Sequence, residues 1–282
     1  MSKLGVIYVA FGAPYLAMSL VSAATLRATN PDVPIMIVTN VAREPPHVYW
    51  WRAHTGDVWQ YVEGETDANR LTKTDIFRLS PFENTLYLDC DTAVLADISQ
   101  INFFLDYFDL LMMYQSNPGT DRKRTLFDGA LPYSTIGHFN GGVVAFRKNK
   151  EAEKFFRLWN ERYRSMNIKR DQPSLVEALY ISDARLLPLQ PAWNAGQSIK
   201  EHARRRKDIV VWHYKTRTEA RLEALIRGAG TWWNSTLGDR IAIEAFVCRR
   251  RRWRTRTKSG IISSLRDLLR GQFSHNLKLP PS

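Results

Sequence analysis

The chain has 282 residues, 44% apolar and 24% charged, an ordinary globular composition with core material for one large α/β domain or two small ones. Its two cysteines, Cys90 and Cys248, cannot build a disulfide framework, and neither belongs to a Cys-X-X-Cys pair, which argues against a cysteine zinc site. The net charge of +12 lies wholly in the last third, where residues 201–282 hold 19 Lys/Arg against 7 Asp/Glu, and this asymmetry points to an anionic partner for the C-terminal region.

The uncharged stretch from Leu4 to Leu26 is interrupted by Gly12 and Pro14. It reads as a strand, "GVIYVAF", followed by a helix, "YLAMSLVSAATLRAT", rather than as a signal anchor. The expected compartment is the cytoplasm. "VPIMIVTN" forms a second buried strand, and the resulting βαβ unit predicts a parallel sheet with right-handed crossovers. "GDVWQYV" reads as a third strand, and "TKTDIFRLSPF" as a short helix stopped by Pro81. A strand ending at Asp89 follows, then "DLLMMYQ" and "GGVVAF" as further strands. Residues 150–166 carry helical periodicity through Phe155, Phe156, Trp159 and Tyr163. "DQPSLVEALY" opens another helix, with Asp171 at the N-cap and Pro173 in the first turn, and "DIVVWHY" is a late strand. A catalytic domain is expected over 1–247, with a basic, amphipathic tail over 248–282.

Chemistry concentrates in "LYLDCDTAV". Carboxylates two residues apart on an extended segment share a face, so Asp89 and Asp91 repel unless a cation, a proton or donors offset them. The competing reading is a pair of solvated turn aspartates. Neither a G-x-G-x-x-G nor a P-loop is present, so a phosphate ligand would have to be held by a metal and basic side chains. The loops beyond the carboxyl ends of the strands are where open α/β sheets bind ligands.

Four segments in order, "LYLDCDT", "FNGGVVAF", "RDQPSLVEAL" and "VWHYK", resemble GT-A fold glycosyltransferases. The resemblance is strongest to family 8, the glycogenin and lipopolysaccharide galactosyltransferase group, and spans roughly residues 5 to 217. It implies a mixed, mostly parallel sheet flanked by helices in a single domain. It also implies a nucleotide-sugar donor, with UDP as the nucleotide, and retention of anomeric configuration. Asp89, Asp91 and His213 would hold Mn²⁺ (or Mg²⁺), Lys215 would reach the diphosphate, and Arg70 and Lys73 would contact the donor. Asn140, Asp171 and Gln172 would lie beside the transferred sugar and Asn194 on the acceptor side. Ala10, Phe11, Gly12 and Tyr15 would hold the nucleotide, Tyr15 as a stacking partner. Gly12 departs from the family pattern, since related enzymes often place an acidic residue there. Arg78 is either near the donor or on a solvated helix face.

A nucleotidyltransferase would share the sheet, but "AFGAPYLAM" lacks the arginine such enzymes carry after the first strand. A non-catalytic nucleic-acid-binding protein fits the basic third but leaves the four ordered segments unexplained. In the tail, seven of the ten residues 249–258 are basic, and Ile261, Ile262, Leu265, Leu268 and Leu269 follow at helical spacing. A membrane surface is the favoured anionic partner, with a lipid-linked glycan or lipopolysaccharide as acceptor; DNA with modified bases is the alternative. Trp50, Trp51, Trp232 and Trp233 are candidates for stacking on sugars or bases.

Overall fold

The computed structural model describes residues 3–41, 58–65, 68–115, 123–166, 168–196 and 209–213. Lys215, the four tryptophans just named and the basic tail lie outside them. In chain order the elements open with β1 (Leu4–Val9), α1 (Ala13–Thr29), β2 (Ile35–Thr39), β3 (Val58–Tyr61), α2 (Asn69–Lys73) and α3 (Ile76–Leu79). Next come β4 (Asn84–Leu88), β5 (Thr92–Val94), α4 (Gln100–Tyr107), β6 (Leu110–Gln115), β7 (Thr125–Leu126) and β8 (Leu131–Pro132). The described part ends with β9 (His138–Arg147), α5 (Lys150–Met166), α6 (Gln172–Ile181), β10 (Leu186–Leu189), β11 (Ala195–Gly196) and β12 (Val211–His213).

Seven strands form the main sheet in the order β10-β6-β9-β4-β1-β2-β3. Only β9 runs antiparallel to its neighbours, β4 and β6. β1, β2 and β4 are buried at every position because both faces of the sheet are covered. In β1, Val6 and Tyr8 enter one core with Leu16 and Leu26 of α1, and Ile7 and Val9 enter the other with Phe155 and Trp159 of α5. The period-two pleat thus feeds two hydrophobic layers from one strand.

The expected strands and helices are present, with differences in detail. Pro14 lies in the first turn of α1 instead of before the helix, a position where its missing N–H costs nothing. The helix expected over 72–82 is two short ones, and the second closes at Ser80, before Pro81. α4, β5, the β7–β8 hairpin and β10 have no counterpart in the sequence reading. Pro188 in β10 is tolerated because that strand is at the sheet edge, paired only with β6.

A second sheet, β11-β12-β5, positions the functional end of the molecule. Its antiparallel β12–β5 pair sets His213 opposite Thr92, directly after Asp91. Far from that edge, Asp109 at the start of β6 is 1% exposed. Its carboxylate accepts from Asn149 Nδ2 (2.8 Å), Arg147 Nη2 (3.0 Å) and the Arg185 backbone N–H (2.8 Å), which ties β6, β9 and β10 together. Burial alone would raise its pKa, but the hydrogen bonds from Arg185, Asn149 and Arg147 outweigh it and hold the carboxyl at about 2. A depressed carboxyl stabilises the fold above its unfolded pKa and loses that contribution as pH falls from about 4 towards 2. Asp109→Asn should therefore cost on the order of 2 kcal/mol near neutral pH. Denaturant melts of both proteins across pH check this, since the gap between them should close on acidification.

Candidate active site

Asp89 lies one residue beyond β4, and its backbone N–H donates to Gly142 O of β9 (2.8 Å). The chain turns through Cys90 and Asp91 into β5, so both carboxylates come forward at the sheet edge. His213, at the end of β12, arrives from the other side. Its Nε2 is 3.1 Å from Asp91 Oδ1 and 3.8 Å from Asp89 Oδ2. One ligand atom from each of the three residues falls within 4.8 Å of the others. Burial would raise the Asp91 carboxyl, but the hydrogen bond and charge of His213 outweigh it and hold Asp91 below the usual range.

Gly142 explains why a glycine faces this cluster. A Cβ there would lie 2.4 Å from His213 Cε1, 2.7 Å from its Nδ1 and 2.8 Å from Asp89 Oδ2. No side chain fits, and the imidazole and carboxylate occupy the space. Cys90 between the two aspartates is buried, and its thiol donates to Val9 O (3.2 Å). Burial first, then the charges of Asp89 and Asp91, push that thiol well above its ordinary pKa, which makes it a packing group and not a nucleophile.

Lys73 is the second organising group. Its ammonium is 3.0 Å from Asp89 Oδ1 and 3.1 Å from Asp171 Oδ2, and it stands over the Tyr87 ring at 5.0 Å. Tyr87 also donates its hydroxyl to Asp89 Oδ1 at 2.6 Å. Burial alone would lower the Lys73 pKa, but Asp171 and Asp89 together more than offset it and keep the ammonium charged. Asp171 does occupy the N-cap position of α6, yet its side chain makes no cap hydrogen bond. A buried cation takes the carboxylate instead, because a buried ammonium left without a counter-charge costs far more than an uncapped N–H at a helix end.

Gln172 in the first turn of α6 donates its amide to Phe139 O, and its Oε1 is 3.5 Å from the Gly141 N–H. Asn140 Oδ1 accepts from the Gly142 N–H (2.8 Å) and from Asn194 Nδ2 (2.9 Å). Asn194 in turn meets His213 Nδ1 at 2.9 Å. Asp89, Asp91, His213, Lys73, Asp171, Gln172, Asn140 and Asn194 thus form one connected group.

The expected nucleotide residues lie at the end of β1. Ala10 and Phe11 bury their side chains completely, which leaves backbone as the means by which they meet a ligand. Gly12 adopts φ 81°, a left-handed conformation that favours glycine. Two asparagines that sequence reasoning missed hold the loop. Asn69 Oδ1 accepts the Phe11 N–H (3.2 Å), and Asn40 Oδ1 accepts the Gly12 N–H (2.6 Å). Asn40, directly after β2, sits where a strand-end side chain faces the ligand edge, and that position was the available signal. Tyr15 is half-buried against the α1 core. Arg70 clips α2 to the Lys169 carbonyl (2.8 Å), just before Asp171. Arg78 is 75% exposed and paired with Asp75, the solvated-face alternative.

No family model and no curated protein matches the sequence. Solved structures do match the fold. The bifunctional glycosyltransferase WbbM aligns with a TM-score of 0.57 at 14% identity, over 84% of this chain and 51% of its own. The galactosyltransferase LgtC, solved with donor and acceptor sugar analogues, gives 0.52 at 16% identity over 80% and 95%. GlyE of Streptococcus pneumoniae TIGR4 gives 0.53 at 17% identity over 88% and 64%. The chain therefore spans about half the length of WbbM. These likenesses establish a GT-A fold, in agreement with the expected mixed, mostly parallel sheet.

Proposed function

We propose that this chain is a metal-dependent, retaining glycosyltransferase of the family 8 type, a hexosyltransferase that takes its sugar from a UDP-linked donor. The observation that carries this reading is the convergence of Asp89, Asp91 and His213 ligand atoms within 4.8 Å, beside Asp171, Gln172 and Asn140. Two carboxylates and an imidazole form a donor set for a hard divalent cation, with the nitrogen tilting the preference towards Mn²⁺. Gly142, having no side chain, lets the His213 imidazole and the Asp89 carboxylate come together against β9. Such a cation supplies positive charge against the departing diphosphate.

The chain's own residues do the rest. Lys73 pairs with both Asp89 and Asp171 and holds them close together. Gln172 and Asn140, tied to the β9 backbone, present fixed amides where the sugar would lie. Asp171, committed to the Lys73 ammonium, is poorly suited to attack an anomeric carbon, which favours same-face displacement with the leaving phosphate as base over a covalent intermediate. Lys215, two residues beyond His213 in sequence, is assigned to that phosphate.

For the acceptor, the basic surplus of residues 201–282 favours a glycan at an anionic membrane surface. Among the described residues no helix is long and apolar enough to cross a membrane, so the proposed association is peripheral. The test is UDP release from a panel of UDP-sugars by the full chain, followed by acceptor trials with lipid-linked glycan and with DNA carrying hydroxylated bases. Turnover on the glycan supports the reading, and turnover on DNA alone replaces the acceptor while keeping the chemistry.

A further inference from the structure

We infer that Asn194 is a positioning residue that fixes the His213 tautomer for metal binding and couples that ligand to Asn140. The inference rests on the proposal that Asp89, Asp91 and His213 hold a divalent cation.

Its starting point is a backbone group. The Gly142 N–H can only donate, and it lies 2.8 Å from Asn140 Oδ1, so the orientation of the Asn140 amide is settled. The Asn194 atom 2.9 Å from that oxygen must then be its NH₂ group. That leaves Asn194 Oδ1 facing His213 Nδ1 at 2.9 Å, and an oxygen with no proton requires Nδ1 to donate. With Nδ1 committed as a donor, Nε2 is the nitrogen left to offer a lone pair to a cation; without a cation it donates to Asp91 Oδ1 at 3.1 Å, and Asp89 Oδ2 lies 3.8 Å away. Asn194 is 2% exposed, so its amide has no solvent with which to exchange these partners.

At the far end, Asn140 Nδ2 donates to Gln115 Oε1 at 3.1 Å. One chain of amides therefore runs from the buried His213 on β12, through the buried Asn194 before β11, to the part-buried Asn140 and Gln115 on the paired ends of β9 and β6. Each member has one orientation because its neighbour has one. Asn194 sets the lone pair that a cation needs, and the same side chain holds the amide of Asn140 at the sugar side.

The two halves of the role can be separated. Asn194→Asp keeps an oxygen to accept from His213 Nδ1 but turns the Asn140 contact into oxygen against oxygen. Asn194→Leu removes both. Mn²⁺ binding to the full chain, measured by calorimetry without donor, should weaken 10–100-fold in Asn194→Leu, the usual effect of removing such an orienting partner, and stay within about threefold of wild type in Asn194→Asp. Asn194→Asp should instead raise the KM for the UDP-sugar, and thermal melts establish that each variant is folded. If both variants bind Mn²⁺ like wild type, or a folded Asn194→Asp loses Mn²⁺ as fully as Asn194→Leu, the tautomer role is overturned. Should Asn194→Leu not fold, Mn²⁺ affinity of Asn194→Asp decides alone. A wild-type chain that binds no Mn²⁺ would overturn the metal reading itself and the inference with it.

Discussion

Gly142→Ala is expected to lower turnover at least 100-fold while the protein still folds. The added methyl would sit 2.4 Å from His213 Cε1 and 2.8 Å from Asp89 Oδ2, inside the distance any real carbon tolerates. β9 lies inside the sheet between β4 and β6, so even at the bulge opposite Met112 and Met113 its backbone has little room to retreat. The side chains must move, and the imidazole that swings away loses Asn194 and its aim at Asp91. Overpacking of this kind typically costs 1–3 kcal/mol, which a domain of this size survives. Gly141→Ala is the control. A Cβ there meets Leu175 Cδ2 at 3.3 Å, Lys73 Nζ at 3.5 Å and Gln172 Oε1 at 3.8 Å, mild crowding that flexible ends relieve. Steady-state rates and melting curves for the two variants give the comparison, and equal activity would mean that the space beside Gly142 is not part of the site.

The second large effect is expected of Asp91→Ala, which should abolish Mn²⁺-dependent transfer. A cation held by these residues would lose a charged ligand, and His213 Nε2 would lose its nearest carboxylate, 3.1 Å away. Stability without metal should fall only modestly: the variant loses a carboxyl that His213 holds below its usual range, and with it a like charge beside Asp89. Saturating Mn²⁺, at 100 times its Kd, should stabilise the wild type by about 2.7 kcal/mol and the variant by almost nothing. Melting curves with and without Mn²⁺ read both arms. A variant that unfolds readily in the absence of metal would indicate that Asp91 supports the fold and not the ion.

Much of this arrangement was legible in the sequence, because apolar runs buried on both faces are distinctive and residues at strand ends fall on one edge. β1, β2, β4, β6 and α5 could be read in that way, and so could the shared face of Asp89 and Asp91, whereas His213 follows only from the resemblance to GT-A enzymes. What escaped has physical causes. β10 carries a proline, β7 and β8 have two residues each, and α4 is a short helix of eight residues with no distinct stop signal. The N-cap reading of Asp171 gave the right backbone position but the wrong side-chain partner, since local preference was overridden by a buried ammonium from 98 residues earlier, in α2. Asn194 and His213 are 19 residues apart, and only the β11–β12 pairing brings their side chains together. Asn40 and Asn69 reveal their role only once the strand ends of β1 and β2 are placed side by side.

The most direct test of the metal-bridged donor site needs neither the sugar nor the acceptor. Binding of UDP to the full chain should be measured by calorimetry with Mn²⁺ present and again after chelation with EDTA. Tight binding with Mn²⁺ that disappears on chelation, and that Asp91→Ala lacks under both conditions, is the predicted result. UDP binding that is indifferent to EDTA, or no UDP binding by a folded protein saturated with Mn²⁺, would contradict it.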